Sequence, residues 1–215
     1  MTGSIQRRQA DTGGARRARR RDVRRLGILK AAARIFHDRG VAEAGMRDIA
    51  EAADLSPANL YHYFSGKDEI LFFCQERSLS RLLEALKESR RAGTSAADRL
   101  ERVLRAHAGV VLGEVEGGAA HLAVDALSEP RRRRIVARRD RYEQGVRQLV
   151  AQGIRNGEFI ACDAAITTRA MLGAVNSTAT WFRPDGSRPA ASVAQALANY
   201  LVRGLRAHQN GHRRS

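Results

Sequence analysis

Cysteine is nearly absent from this 215-residue chain: Cys74 and Cys162 stand far apart, with no Cys-x-x-Cys spacing. That argues against a disulfide framework and against a cysteine-ligated zinc site, and it fits a reducing cytoplasm. No uncharged stretch approaches the ~20 residues that a membrane-spanning helix needs. No apolar run follows the charged N-terminus, as a secretory signal would require. A Gly-rich phosphate loop, a nucleophile elbow and a His-Glu-x-x-His sequence are all missing. His121 and Asp125 lie one helical turn apart, but two ligands do not make a metal site, and His107 joins them only if the fold brings it near. Nothing here calls for an enzyme, a metal or a cofactor. Runs of alternating apolar and polar residues are missing too, so the chain is expected to be all-α.

What the chain has is arginine. Lys and Arg number 38 against 23 Asp and Glu, a net charge of +15, and Lys30, Lys67 and Lys87 are its only lysines. A polyanion is the simplest partner, because each neutralised phosphate releases counterions. A membrane surface is a weaker reading, since no basic amphipathic helix with exposed Trp or Phe stands out. Nine arginines and two aspartates precede residue 26. Residues 1–21 contain almost nothing apolar and are expected to form a disordered Arg-rich arm, either a solvated tail or a segment that tracks phosphates.

Residues 45–68 read as two short helices joined by a tight turn. Ile49, Ala50, Ala53, Leu55 and Leu60 supply an apolar seam, and Asp54 sits where the turn needs a left-handed residue. Ser56 suits a helix N-cap and Pro57 the first helical position. The second helix turns Asn59, Tyr61, His62 and Tyr63 to one side, a set too polar for core and too aromatic for an idle surface. It has the character of a helix that enters a DNA major groove, where Asn can bond bidentately to adenine and tyrosine hydroxyls reach phosphates.

Around this pair, helical spacing predicts a first helix over about 22–39, ended by Gly40, and a long helix from Lys67 to about Arg90. Six of the eleven Phe, Trp and Tyr residues fall between Phe36 and Phe73. Phe36, Phe64 and Phe72 are expected in a small core there. Further helices are expected at about 95–114, 119–127, 130–156, 163–182 and 189–208. In the 130–156 helix, arginines 131–134, 138, 139 and 141 form a charge run of the kind that ordinarily marks a solvated face. The 163–182 helix carries small residues nearly all round and should be buried on most sides, with a twin in a second subunit. The expected division is a helix-turn-helix domain over 22–75, a larger helical domain over 76–208 and a disordered tail over 209–215.

The run Asp-Ile-Ala-Glu-Ala-Ala-Asp-Leu-Ser-Pro-Ala-Asn-Leu-Tyr-His-Tyr-Phe-Ser-Gly-Lys-Asp-Glu-Ile-Leu resembles the N-terminal domain of the TetR transcriptional regulators, over about residues 22–75. The resemblance implies a cytoplasmic homodimer with one helix-turn-helix per subunit and a C-terminal ligand-binding and dimerisation domain, released from a DNA operator by a small molecule. It implies DNA contacts for Arg47, Asn59, Tyr61, His62 and Tyr63, a cap at Ser56, and a phosphate contact for Lys67. Gly45 departs from the Thr that often caps the first of the two helices and holds a phosphate, and Asp54 replaces the usual turn Gly.

In the C-terminal half, Arg-Ile-Val-Ala-Arg-Arg-Asp-Arg-Tyr-Glu, Asn-Gly-Glu-Phe and Leu-Gly-Ala-Val-Asn-Ser-Thr-Ala-Thr-Trp-Phe-Arg-Pro-Asp-Gly resemble the branch that senses acyl-CoA thioesters. That resemblance implies an apolar tunnel with basic residues at its mouth. Arg138, Arg139 and Arg183 would meet a CoA phosphate, and Tyr142, Asn176 and Trp181 would line the chamber. Another apolar or aromatic effector, or none, remains open. The competing reading of the whole chain is a non-specific architectural nucleic-acid binder driven by its arginines.

Overall fold

The computed structural model describes residues 3–91, 95–113 and 118–207, and it is helical throughout. Among the described residues there is no β-strand, only an isolated antiparallel bridge between Phe159 and Arg206. No described helix is long and apolar enough to cross a membrane.

Helix α1 (Gly3–Glu43) begins far earlier than expected. The segment from residue 3 to 21 is helical, not the irregular arm that its composition suggests. In residues 15–25 arginine and alanine are strong helix formers, so once the apolar turns beyond Leu26 are packed, propensity extends the helix backwards over them; Gly13 and Gly14 do not favour the turns before. Ile28, Leu29, Ala32 and Phe36 are its buried side. Gly40, at φ 80°, breaks the regular helix where a stop is expected.

Helices α2 (Met46–Ala52) and α3 (Pro57–Tyr61) form the expected pair. Asp54 adopts φ 53° at the turn, the only non-glycine among the described residues with positive φ. The Ser56 hydroxyl accepts from Asn59 N at 3.2 Å and caps α3. Gly45 has no capping side chain. Instead the Asp48 carboxylate accepts from Gly45 N at 2.9 Å. That bond, with help from Arg39, holds the Asp48 carboxyl below its usual range. Phe36, Phe64 and Phe72 are buried as expected.

Helix α4 (Lys67–Arg91) runs from the edge of this head into the larger helical unit. There it packs against α5 (Ala96–Val111), α6 (Gly118–Leu122) and α7 (Glu129–Arg155). Gly145 lets α7 approach α4 closely, because a Cβ there would stand 2.2 Å from Leu86 Cδ2. Gly157 adopts φ 70° and closes α7. Its N–H donates to Ile154 O and that of Glu158 to Gly153 O, the paired bonds that satisfy a helix C-terminus.

Two expected helices are shorter. Helix α6 stops at Leu122, so Asp125 is not one helical turn beyond His121. The carbonyls near its end bind side chains instead: Gln75 Nε2 donates to Ala123 O at 3.0 Å, and the Arg139 guanidinium to His121 O. The 163–182 stretch divides into α8 (Ala164–Asn176) and α9 (Thr178–Trp181), followed by α10 (Ala190–Leu205). Within one chain α8 is not buried on most sides. Thr168, Met171 and Val175 are buried, while Ile166 is 68% exposed. Among the described residues its main neighbours are α5 and α7.

Candidate functional site

The capped α3 is held by its buried Leu60 and by the turn before it. Asn59, Tyr61 and His62 are exposed, with Tyr61 at 54%, and Tyr63 is half-buried. Arg47 is exposed on the first turn of α2. Arg24 of α1 donates to Asp54 O at 3.0 Å and ties α1 to the turn. Arg25 lies 4.8 Å from the Phe64 ring centroid and 4.2 Å from that of Phe73, a cation–π stack that fixes α1 on the head.

Two solvent-open grooves flank α3. One is bordered by Arg24, Arg47, Ser56 and Asn59. The other is bordered by Arg17, Arg20, Arg21 and Arg24 on one side and by Asn59, His62 and Tyr63 on the other. Those four arginines follow the i, i+3, i+4, i+7 spacing of one helix face. A phosphate-tracking segment is one reading of the sequence, but that reading leaves Arg17, Arg20 and Arg21 in an irregular arm, and the helix is what lines them up with Arg24 beside α3. Lys67, the expected phosphate ligand, donates its Nζ to Ala42 O at 2.8 Å and so is engaged in the chain itself.

The expected ligand residues do not converge on one chamber. Arg138 binds Glu76 and, at 3.0 Å, Ser80 Oγ. Arg139 binds His121 O and lies 3.4 Å from Gln75 Oε1, and burial lowers its pKa to about 10. Tyr142 OH lies 3.4 Å from His107 Nδ1 in a buried contact. The His107 ring also meets those of Tyr142 and His121 edge-on, at 5.4 and 5.7 Å. Burial moves His107 down to about 4 and His121 well below its usual value, so both are neutral, and it pushes the Tyr142 phenol up. The Asn176 side chain lies in range of His107, yet among the described residues Asn176 Oδ1, His107 Nε2, His121 Nδ1 and Arg139 Nε have no hydrogen-bond partner. The fold thus does bring His107 to His121, but among the described residues no cluster of three metal-binding side chains forms.

Trp181 is 53% exposed and Arg183 lies elsewhere, at a separate cavity of about 700 Å³. That cavity lies between α1 and the α9–α10 connection, and the end of α5 forms a further wall.

These features have a known combination. The profile described as tetracyclin repressor-like, C-terminal domain, matches residues 93–205, and that of the bacterial regulatory proteins, tetR family, matches residues 28–72. The chain belongs to the TetR family of transcriptional regulators. The transcriptional activator FasR of Mycolicibacterium smegmatis is 33% identical over 120 residues, 55% of each chain. The transcriptional repressor KstR2 of Mycobacterium tuberculosis is 27% identical over 191 residues, 85% of this chain and 92% of its own. The crystal structure of AibR in complex with isovaleryl coenzyme A and operator DNA superposes with a TM-score of 0.71. It is 26% identical and covers 85% of this chain and 97% of its own. The exposed tips of α3 lie within the span that the tetR-family profile matches.

Proposed function

We propose that this TetR regulator is a cytoplasmic homodimeric repressor that reads a palindromic operator and leaves it when a small apolar effector binds. The observation that carries the reading is the exposed Asn59, Tyr61 and His62 on a capped helix, bordered by an arginine face of α1. Base contacts would come from Arg47, Asn59, Tyr61 and His62, phosphate contacts from Tyr63, from Lys67 once it leaves Ala42 O, and from the α1 arginines. Ser56 acts through its cap. The functional division is 22–75 for DNA and 76–208 for effector and dimer, with α4 crossing the boundary and the helical 3–21 segment serving the DNA side. Dimerisation is supported by Ile166, Trp181 and Tyr200, which stand 68%, 53% and 77% exposed on and beside α8 and α10.

The effector would lodge beside Arg139, Tyr142 and Asn176, where orphaned polar atoms cost free energy until a ligand answers them. An acyl-CoA thioester is the first candidate, because AibR was crystallised with one. A coupling of about 1–3 kcal/mol through α4 is enough for a 5- to 150-fold loss of operator affinity. FasR is an activator and KstR2 a repressor, so similarity alone does not assign the sign.

Fluorescence anisotropy on the chain's own upstream DNA tests the proposal, with acyl- and steroid-CoA thioesters titrated beside their free acids. Release by a thioester and not by its acid is expected. Equal affinity for operator and random DNA would turn the chain into an architectural binder. Tyr61→Ala should lower operator affinity about 100-fold while leaving the dimer intact, as two recognition helices each lose a contact worth roughly 1–3 kcal/mol. Unchanged affinity would move the reading face off α3.

A further inference from the structure

The groove between α1 and α3, about 650 Å³, has two unlike walls. Arg17, Arg20, Arg21 and Arg24 form a basic wall, and Asn59, His62 and Tyr63 form the wall that carries the tips of α3. Among the described residues no carboxylate borders it. Glu51 and Asp54, by contrast, border the other groove beside α3, and Asp38 and Asp185 border the cavity at Arg183. The α1–α3 groove therefore suits a polyanion better than either. Its basic wall is anchored at the near end. Arg24 is tied to Asp54 O, and Arg25 stacks on Phe64 and Phe73, so α1 leaves the head in a fixed direction. At ~1.5 Å per residue, Arg17 stands roughly 10 Å beyond Arg24 along the axis. That is about three base-pair steps of roughly 3.4 Å each.

A helix seated in the major groove has a sugar–phosphate strand on either side of it and, across that strand, a minor groove ~6 Å wide. With α3 seated in this way, the α1–α3 groove takes one strand, and the arginine wall lies on the far side of it. We propose that Arg17, Arg20 and Arg21 reach over that strand into the minor groove flanking each half-site, and that they favour A·T pairs there. The inference rests on the operator-reading role of α3 and gives the operator a second read position outside the one that α3 meets. Two physical effects set the preference. A-tracts narrow the minor groove and deepen its negative potential, and a guanidinium, being weakly hydrated, enters such a groove more readily than an ammonium. Guanine, on the other hand, places its N2 amino donor in the minor groove, where it faces a cation. Phosphate contacts alone would carry no such preference.

Competition binding on the full chain tests it, with the operator core from the chain's own upstream DNA held fixed and only the flanks varied. Wild type should bind A·T flanks about fivefold more tightly than G·C flanks. Inosine·cytosine flanks should bind as A·T flanks do, because inosine lacks the N2 amino group but keeps guanine's acceptors in the major groove. A triple variant, Arg17→Lys with Arg20→Lys and Arg21→Lys, keeps the charge; it should keep the salt dependence and lose the flank preference. Equal binding to A·T and G·C flanks by wild type overturns the inference even where the core is selected. So do inosine flanks that behave as G·C, or a preference undiminished in the lysine variant. A core that binds no better than random DNA would sink the operator reading instead, and a flank preference that survived there would keep the α1 arginines in the minor groove.

Discussion

Two arginine-rich helical stretches of similar density behave in opposite ways. In the first half of α7, Arg131 binds Asp68, Arg132 and Arg133 share Glu129, and Arg134 and Arg138 share Glu76. In α1, Arg17, Arg20 and Arg21 are exposed beside α3 and have no carboxylate partner among the described residues. Composition cannot separate the two, because both are runs of the same residue. The surrounding acids do. On α7, Arg131, Arg134 and Arg138 join α7 to α4, while Arg132 and Arg133 close on Glu129 of α7 itself. On α1 their charge is left for a partner outside the chain, and under the function proposed here that partner is DNA phosphate.

The sharpest way to break that comparison is a matched pair of triple variants. Arg17, Arg20 and Arg21 replaced by Gln remove six cations from a dimer. If all six meet phosphates, the slope of log affinity against log salt should flatten by about 5. Arg132, Arg133 and Arg134 replaced by Gln remove as much formal charge but should leave the slope as it was. Operator titrations between low and moderate salt read both. Equal flattening by the two variants would mean that net charge alone drives binding.

A smaller effect probes the α7 side. Glu76 is the shared partner of Arg134 and Arg138, with 15% of its side chain exposed against 26% for Arg138. Glu76→Ala strands both guanidiniums. A fully buried pair costs about 3–5 kcal/mol to break from one side; this one is partly solvated, so about 2 kcal/mol is expected. Urea denaturation would show it as a lower midpoint, with the operator salt slope unchanged. A variant as stable as wild type would make the α7 arginines a solvated face after all.

Local chemistry made much of the fold legible. Ser56 and Pro57 begin α3, Asp54 takes the left-handed turn, Gly40 breaks α1, and Gly157 closes α7 within a residue of its expected end. Elements decided by neighbours were less legible. Helix α6 ends early, and Gln75 and Arg139, both distant in sequence, bind carbonyls beside its end. The helical course of the 3–21 segment was hidden by its lack of apolar residues, and with it the arginine face beside α3. The tips of α3 could be named in advance because they are neighbours in sequence. Lys30, Arg34 and Arg183 could not be grouped, because only the packing of α1 on the α9–α10 connection brings them to one cavity.

The smallest expected effect concerns the uncharged counterpart of those arginine networks, the imidazole pair inside the larger unit. His107 is buried, and burial lowers its pKa to about 4, against roughly 6.5 for an unperturbed histidine. Below about pH 6.5 the unfolded chain takes up a proton that the folded chain refuses. Stability is therefore full above that pH and falls as the solution is acidified toward 4, by up to ~1.4 kcal/mol per pH unit for this one group. His121, shifted in the same direction, adds to the fall. Thermal melts between pH 7 and 5.5 should show a declining midpoint, and His107→Gln should make the decline shallower. Gln keeps a polar group beside Tyr142 but cannot titrate, so its own loss of packing is the same at both pH values and cancels from the difference. A wild-type midpoint that holds steady to pH 5.5 would mean that water or a counter-charge reaches the pair, and the buried imidazoles would then differ from the α1 arginines in position but not in solvation.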